Sequence, residues 1–176
     1  SKRRTWRKIH LGVDEKTGEI TAQALTDNKT DDGAMLIQLV ADTFDQGVDI
    51  DKLGADGAYD HYDCWDMLVA VEIEPIIPPR ENAMFQLGED GMPTDHPRNR
   101  VLEIIDEGGQ ELNRKGWKVQ SGYHRRSKSE NAFFRWKTIL GEKMYAREFE
   151  NQKTEAAVKA AVLNKFIQIA APKAVK

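Results

Sequence analysis

Residues 123–137 read YHRRSKSENAFFRWK, with Tyr123, Arg126, Glu130 and Lys137 spaced Y-x2-R-x3-E-x6-K. Seven residues of α-helix turn through ~700°, within ~20° of two full turns, so in a helix Tyr123, Glu130 and Lys137 share one stripe. Arg126, one turn before Glu130, lies beside it. A lone acid set among cations suits a carboxylate that binds a divalent metal while basic neighbours hold phosphates, as metal-assisted cleavage of a nucleic-acid strand requires. The plainer reading of Glu130 is an i,i+4 ion pair with Arg126, worth a few tenths of a kcal/mol. Phe133, Trp136 and Leu140 fall on an adjoining face at the ordinary core spacing.

Charge is distributed to match. Residues 1–10 hold five Lys/Arg and no acid, and residues 114–137 hold eight Lys/Arg against Glu130 alone. These two segments carry +12, and the remainder, at a whole-chain net of −3, carries −15. Because screening acts within ~8 Å at physiological salt, local clusters and not the total decide whether a phosphate backbone is attracted. Each cluster read by itself is equally a solvated face.

A chain of 176 residues, 40% apolar and 31% charged, is one domain's worth of soluble globular protein. It can bury about two-thirds of its unfolded surface. No run approaches the ~20 apolar residues of a membrane span, and the polar, basic first ten residues do not read as a signal peptide. Cys64 is the only cysteine, which excludes an internal disulfide and a multi-thiolate zinc site. His10, His61, His96 and His124 have no zinc-ligand spacing and are read as structural or solvent-facing. A reducing cytoplasm is the expected home. Nothing resembles a P-loop, a serine nucleophile elbow or a dinucleotide fingerprint.

Outward from the opening stretch, periodicity predicts a hairpin of Trp6–Asp14 and Glu19–Leu25 around Lys16-Thr17-Gly18, with Ile9, Leu11 and Val13 on one face. A helix capped by Thr30 or Asp31 follows, with Met35, Leu36, Leu39, Val40 and Phe44 as its apolar positions and Gly47 at its end. Lys52–Asp56 reads as a short buried-type strand, His61–Val71 as a helix presenting Trp65, Leu68 and Val69, and Ile73–Ile77 as another strand. Residues 83–97 read as a loop insertion. Then come a helix over Arg98–Asp106, the Gly108-Gly109 pair, a helix over Arg125–Leu140, and a last helix over Thr154–Ala170. The last helix is expected to bury Ala157, Val158, Ala161, Val162 and Ile169.

The spacing at Tyr123, Arg126, Glu130 and Lys137 resembles the signature of bacterial insertion-sequence transposases of the DDE type. WRKIHLGVD at 6–14, TGEI after it, ALTDNKTDD at 24–32, GADGAYD around Asp56, IPPREN at 77–82 and VLNKF at 162–166 resemble, in that order, landmarks of the insertion-sequence-five group. The resemblance implies an α/β, ribonuclease-H-like fold: a mixed sheet with flanking helices, here a single domain over 1–176. That fold starts with three antiparallel strands, and only two precede the first helix. The missing first strand is the one that carries the family's first catalytic aspartate, beside the strand that carries the second, so this aspartate is expected upstream of Ser1.

By the same resemblance, Asp56 and Glu130 are the catalytic and metal-binding carboxylates, and Mg²⁺ or Mn²⁺, two ions in the complete enzyme, is the cofactor. Tyr123, Arg125, Arg126, Lys128 and Lys137 contact DNA. The partners implied are insertion-sequence ends and target DNA, with a homo-oligomer in the active complex, no membrane, and a cytoplasmic, nucleoid-associated location. Residue by residue, Asp56 also reads as a helix N-cap, and Gly57-Ala58 after it as room for an ion and a phosphate. Asp60 is assigned to capping, Asp14 to a hairpin turn in preference to a substitute metal ligand, and Asp31 and Asp32 to a helix start. The function expected is phosphodiester cleavage and strand transfer, inactive or weak in these 176 residues alone. The alternatives are a truncated DNA-binding or regulatory remnant and a ribonuclease-H-like nuclease.

Overall fold

The computed structural model describes residues 6–106 and 110–170, which form two compact units. One is drawn from both ends of the chain, up to Asp49 and from Ser127; the other is Ile50–Arg126. The Gly108-Gly109 pair lies outside the described residues.

In the first unit, β1 (Arg7–Val13) and β2 (Ile20–Asp27) pair antiparallel. Asp14 makes the turn: its Oδ1 accepts from the backbone N–H groups of Lys16 and Thr17 at 2.6 and 2.8 Å. Gly18 supplies the positive φ of 74°. Register shifts by one residue at Gly12/Val13. Such a bulge moves following side chains to the opposite face. Ile20 accordingly joins Leu25 on one face, while Ala22 and Ala24 pack with Met35 and Leu39 on the other. Helix α1 (Asp32–Asp45) covers that second face, capped by Asp31, whose Oδ2 accepts from Ala34 N at 3.1 Å. Its predicted stripe holds except at the end, where Phe44 is 39% exposed.

The first face of the hairpin is covered by α5 (Ser127–Arg135), a π-helical turn (Trp136–Leu140) and α6 (Phe149–Ala170), through Ala132, Trp136, Ala156, Ala160 and Leu163. Helix α6 starts five residues before the predicted Thr154 and buries a different stripe: Ala156, Lys159, Ala160 and Leu163 are inside. Val158, Val162 and Ile169 are 57%, 36% and 67% exposed, and Ala157 and Ala161 are also exposed. Both stripes obey the helical period, so the partner decides. Two alanines let α6 approach the hairpin closely, and Asn164 exchanges bonds with Ile20, donating to its O at 2.8 Å and accepting from its N at 2.7 Å. Lys159 is tolerated inside because its Nζ donates to Lys143 O at 2.8 Å and meets Glu155 at 3.2 Å.

The second unit pairs β3 (Lys52–Gly54) with β4 (Glu74–Ile76) in parallel, joined by α2 (Tyr62–Ala70). β3 is less buried than expected: Lys52 and Gly54 are exposed, and burial begins at Ala55. Trp65 and Leu68 of α2 are buried as predicted, whereas Val69 is 43% exposed. Ile73 and Ile77 flank β4 in the core. Helices α3 (Pro97–Asp106) and α4 (Gln110–Gln120) bring Ile105 and Trp117 against Ile76. Residues 83–97 form a loop tied down by the fully buried Asn99, whose amide donates to Gln86 O and Thr94 O at 2.9 Å each and accepts from Gln86 N.

The chain is mixed α/β, as expected. Among the described residues there are two two-stranded sheets, because β1 has only β2 and β3 only β4 as a strand neighbour. No described helix is long and apolar enough to cross a membrane.

Candidate active site

Asp56 lies two residues past β3, where Ala55 N still donates to Ile76 O at 3.2 Å and holds the chain to the sheet. Its Oδ1 accepts from Ala58 N at 2.9 Å and caps a single 3₁₀ turn, Gly57–Tyr59. Among the described residues no donor reaches Oδ2. The cap reading and the ligand reading are thus compatible: a backbone N–H orients one oxygen and leaves the other available to a hard cation such as Mg²⁺, which takes only one or two protein carboxylates. Gly57 has a different reason from the one expected. A Cβ there would meet Pro78 O at 3.4 Å, so glycine lets the Pro78-Pro79-Arg80 segment sit against the turn.

Asp60 is not a cap. Its carboxylate is buried and accepts from Arg98 Nε at 2.7 Å and Nη2 at 3.0 Å, from Trp65 Nε1 at 3.2 Å and from Arg80 N at 2.9 Å. Burial opposes this charge, but the Arg98 fork, the Arg80 N–H and the indole N–H together hold the carboxyl below its usual range. Arg98 is correspondingly raised, its burial outweighed by Asp60 and Tyr62. His61, with no capping side-chain bond, stands at the start of α2. Asp60 is thus committed to Arg98, a partner 38 residues away in sequence that no local pattern announces.

The signature stretch is helical but not one helix. Tyr123–Arg126 is a 3₁₀ turn, Ser127–Arg135 is α and Trp136–Leu140 is π. Residues per turn change from ~3.0 to 3.6 and widen again, so the seven-residue count that put Tyr123, Glu130 and Lys137 on one stripe does not apply. The second unit ends at Arg126 and the first resumes at Ser127. Tyr123 and Arg126 are brought together: the Tyr123 ring packs 6.2 Å from Trp117, with Lys118 Nζ at 5.3 Å and Arg126 Cζ at 5.5 Å from its centroid. Glu130 is exposed in the first turn of α5, where the helix dipole favours a carboxylate. Lys137 meets Glu142 at 3.1 Å. Arg125 and Lys128 are exposed. The adjoining core face is formed by Trp136 and Leu140, while Phe133 is half-buried.

Asp14 has the turn role described above, and Asp32 meets Lys8 at 3.1 Å in the first turn of α1. Among the described residues no three His, Cys, Asp or Glu side chains gather as a metal cluster. Sequence reasoning also missed Arg80: its guanidinium donates to Gly57 O at 3.2 Å and Ala58 O at 3.1 Å, and lies 2.9 Å from His61 Nε2. The signal was present in IPPREN, quoted as a landmark but given no chemistry.

Within the second unit, a carboxylate just past the end of a parallel strand is a position from which a hard cation could be held. The transposase DDE domain family matches this chain over residues 1–165, and the chain belongs to that family. Its class is that of DNA-transposing enzymes, which generally use divalent metal ions. No solved structure matches the chain.

Proposed function

We propose that the chain is the catalytic portion of an insertion-sequence transposase of the five-like group, with a ribonuclease-H-like ancestry. It acts in phosphodiester cleavage and strand transfer at element ends. The observation that carries this reading is the family match over residues 1–165, to which Asp56 adds a carboxylate with one oxygen pinned and one open. Asp56 and Glu130 are the metal-binding carboxylates of the chain, and Tyr123, Arg125, Arg126, Lys128 and Lys137 are its DNA contacts. Bound Mg²⁺ or Mn²⁺ would activate the attacking oxygen and stabilise the charge that develops on phosphorus. The cations of the chain hold the strand in line, Arg through its planar fork and Lys as a point charge. The active form is a homo-oligomer on DNA in the bacterial nucleoid.

A third carboxylate completes the family's set. Asp14 is read instead as the residue of the hairpin turn, where its Oδ1 accepts from the N–H groups of Lys16 and Thr17. We assign the third carboxylate to the polypeptide preceding Ser1. The 176 residues alone then bind DNA and cut weakly or not at all. The test is an end-cleavage assay in Mg²⁺ on DNA flanking the coding region, with and without the upstream-encoded segment. Cleavage only with that segment, abolished by Asp56→Asn and by Glu130→Gln in protein that still folds, supports the assignment. Robust cleavage by the 176 residues, or indifference to either substitution, overturns it.

A further inference from the structure

We infer that Arg80 is a DNA-phosphate contact attached to the Asp56 turn, an inference that rests on the transposase reading above. Its position is over-determined. Arg80 N donates to the buried Asp60 carboxylate at 2.9 Å, and Arg114 holds the other side, its Nη1 donating to Pro79 O and its Nη2 to Arg80 O at 3.4 Å. Pro78 and Pro79 restrict the backbone leading in. The side chain is fixed as well, by Gly57 O, Ala58 O and His61 Nε2. A guanidinium has no lone pair to offer, so His61 Nε2 is the acceptor in this arrangement.

Of the five N–H donors of a guanidinium, three are spent on these partners, and the two on Nη1 take no part among the described residues. No carboxylate pairs with this side chain among the described residues. Arg98 and Arg100 differ, being paired with Asp60 at 2.7 Å and Asp95 at 2.7 Å. Arg80 is therefore an exposed, immobilised, un-neutralised cation with an unused donor edge, and its guanidinium grips the same 3₁₀ turn that Asp56 caps. A clamp serving only to brace two carbonyls would not require the charge to be left open to solvent. The geometry suits one phosphodiester oxygen pair, held in fixed relation to the carboxylate that binds metal. Because this ordering is complete before ligand arrives, little entropy is lost on contact.

The experiment measures the affinity of the 176-residue chain for a duplex of about 30 base pairs across a salt series, for wild type, Arg80→Gln and Arg80→Lys. One lost phosphate contact lowers the slope of log K against log salt by about 0.9 for duplex DNA, or about 0.7 for a single strand. Arg80→Gln is expected to show that drop and bind roughly tenfold or more weakly at low salt. Arg80→Lys keeps the slope and loses affinity, because an ammonium cannot hold the fork. An unchanged slope in Arg80→Gln, with only a lower melting temperature, would reduce Arg80 to a brace and overturn the inference while leaving the transposase reading intact. Absence of salt-dependent binding in the wild type would remove both. Wild-type protein gives a check that needs no variant: bound duplex should protect Arg80 from an arginine-selective dicarbonyl reagent while Arg100 stays reactive. Equal modification of the two in the complex counts against the contact.

Discussion

Asp60 shows what a single residue does when its neighbours are remote in sequence. Four hydrogen bonds surround a carboxylate whose side chain is 0% exposed, and two come from one guanidinium. Removing one member leaves the other as an uncompensated buried charge, so Asp60→Ala is expected to cost about 3–5 kcal/mol of stability, read as a lower urea midpoint. The folded carboxyl lies below its ordinary value, so its contribution is complete above the unfolded pKa of ~3.9. It is lost as pH falls through the lower folded value, because there the unfolded state binds more protons. Wild type should thus lose stability in that acid window, and Asp60→Asn, already uncharged, should lose less there. An equal acid dependence in the two proteins would show that Asp60 is not the titrating group. Asp56, four residues earlier, needed only local chemistry: an Asp before Gly-Ala caps a turn, and the structure shows that cap. What a string of letters does not show is which of two neighbouring aspartates an arginine 38 residues later will choose.

Among the elements, α6 is the instructive case. Periodicity predicts a long last helix over Thr154–Ala170, and the observed one is Phe149–Ala170, but its inward face is not predicted, because Ala156-Ala160-Leu163 and Val158-Val162-Ile169 both recur at helical spacing. Volume argues for the valine stripe; close approach to β2 selects the alanines, with Leu163 only 1% exposed. Leu163→Ala is accordingly expected to cost about 2–5 kcal/mol by opening a cavity. Val158→Ala, at 57% exposure, should change stability by no more than about 0.5 kcal/mol. Comparable losses in paired denaturant titrations would restore the stripe predicted from sequence. The signature segment teaches the same at its own length. Helicity was legible, but its division into 3₁₀, α and π turns was not, since that depends on Tyr123 docking to Trp117 in the second unit and on Trp136 packing in the core of the first, to which it belongs.

At the scale of the whole molecule, the basic segments make a prediction that the net charge of −3 would not. DNA affinity of the 176 residues should fall steeply with salt, and duplexes of unrelated sequence should behave alike, since phosphate contacts carry no base information. Affinity independent of salt between 50 and 200 mM would leave the basic clusters as solvated surface. The order of elements apart from α4, the hairpin and its Asp14 turn, the α1 cap, the burial of Trp65 and Leu68 in α2 and membership of the DDE family were all determined by sequence alone, because each rests on residues near in the chain or on an ordered set of motifs. Tertiary structure alone decided the pairing of strands into two small sheets, the inward face of α6, the pairing of Asp60 with Arg98, and the open charge of Arg80. Each of these depends on which distant group supplies a partner, and local propensity holds no information about a hydrogen bond or a packing surface contributed from tens of residues away.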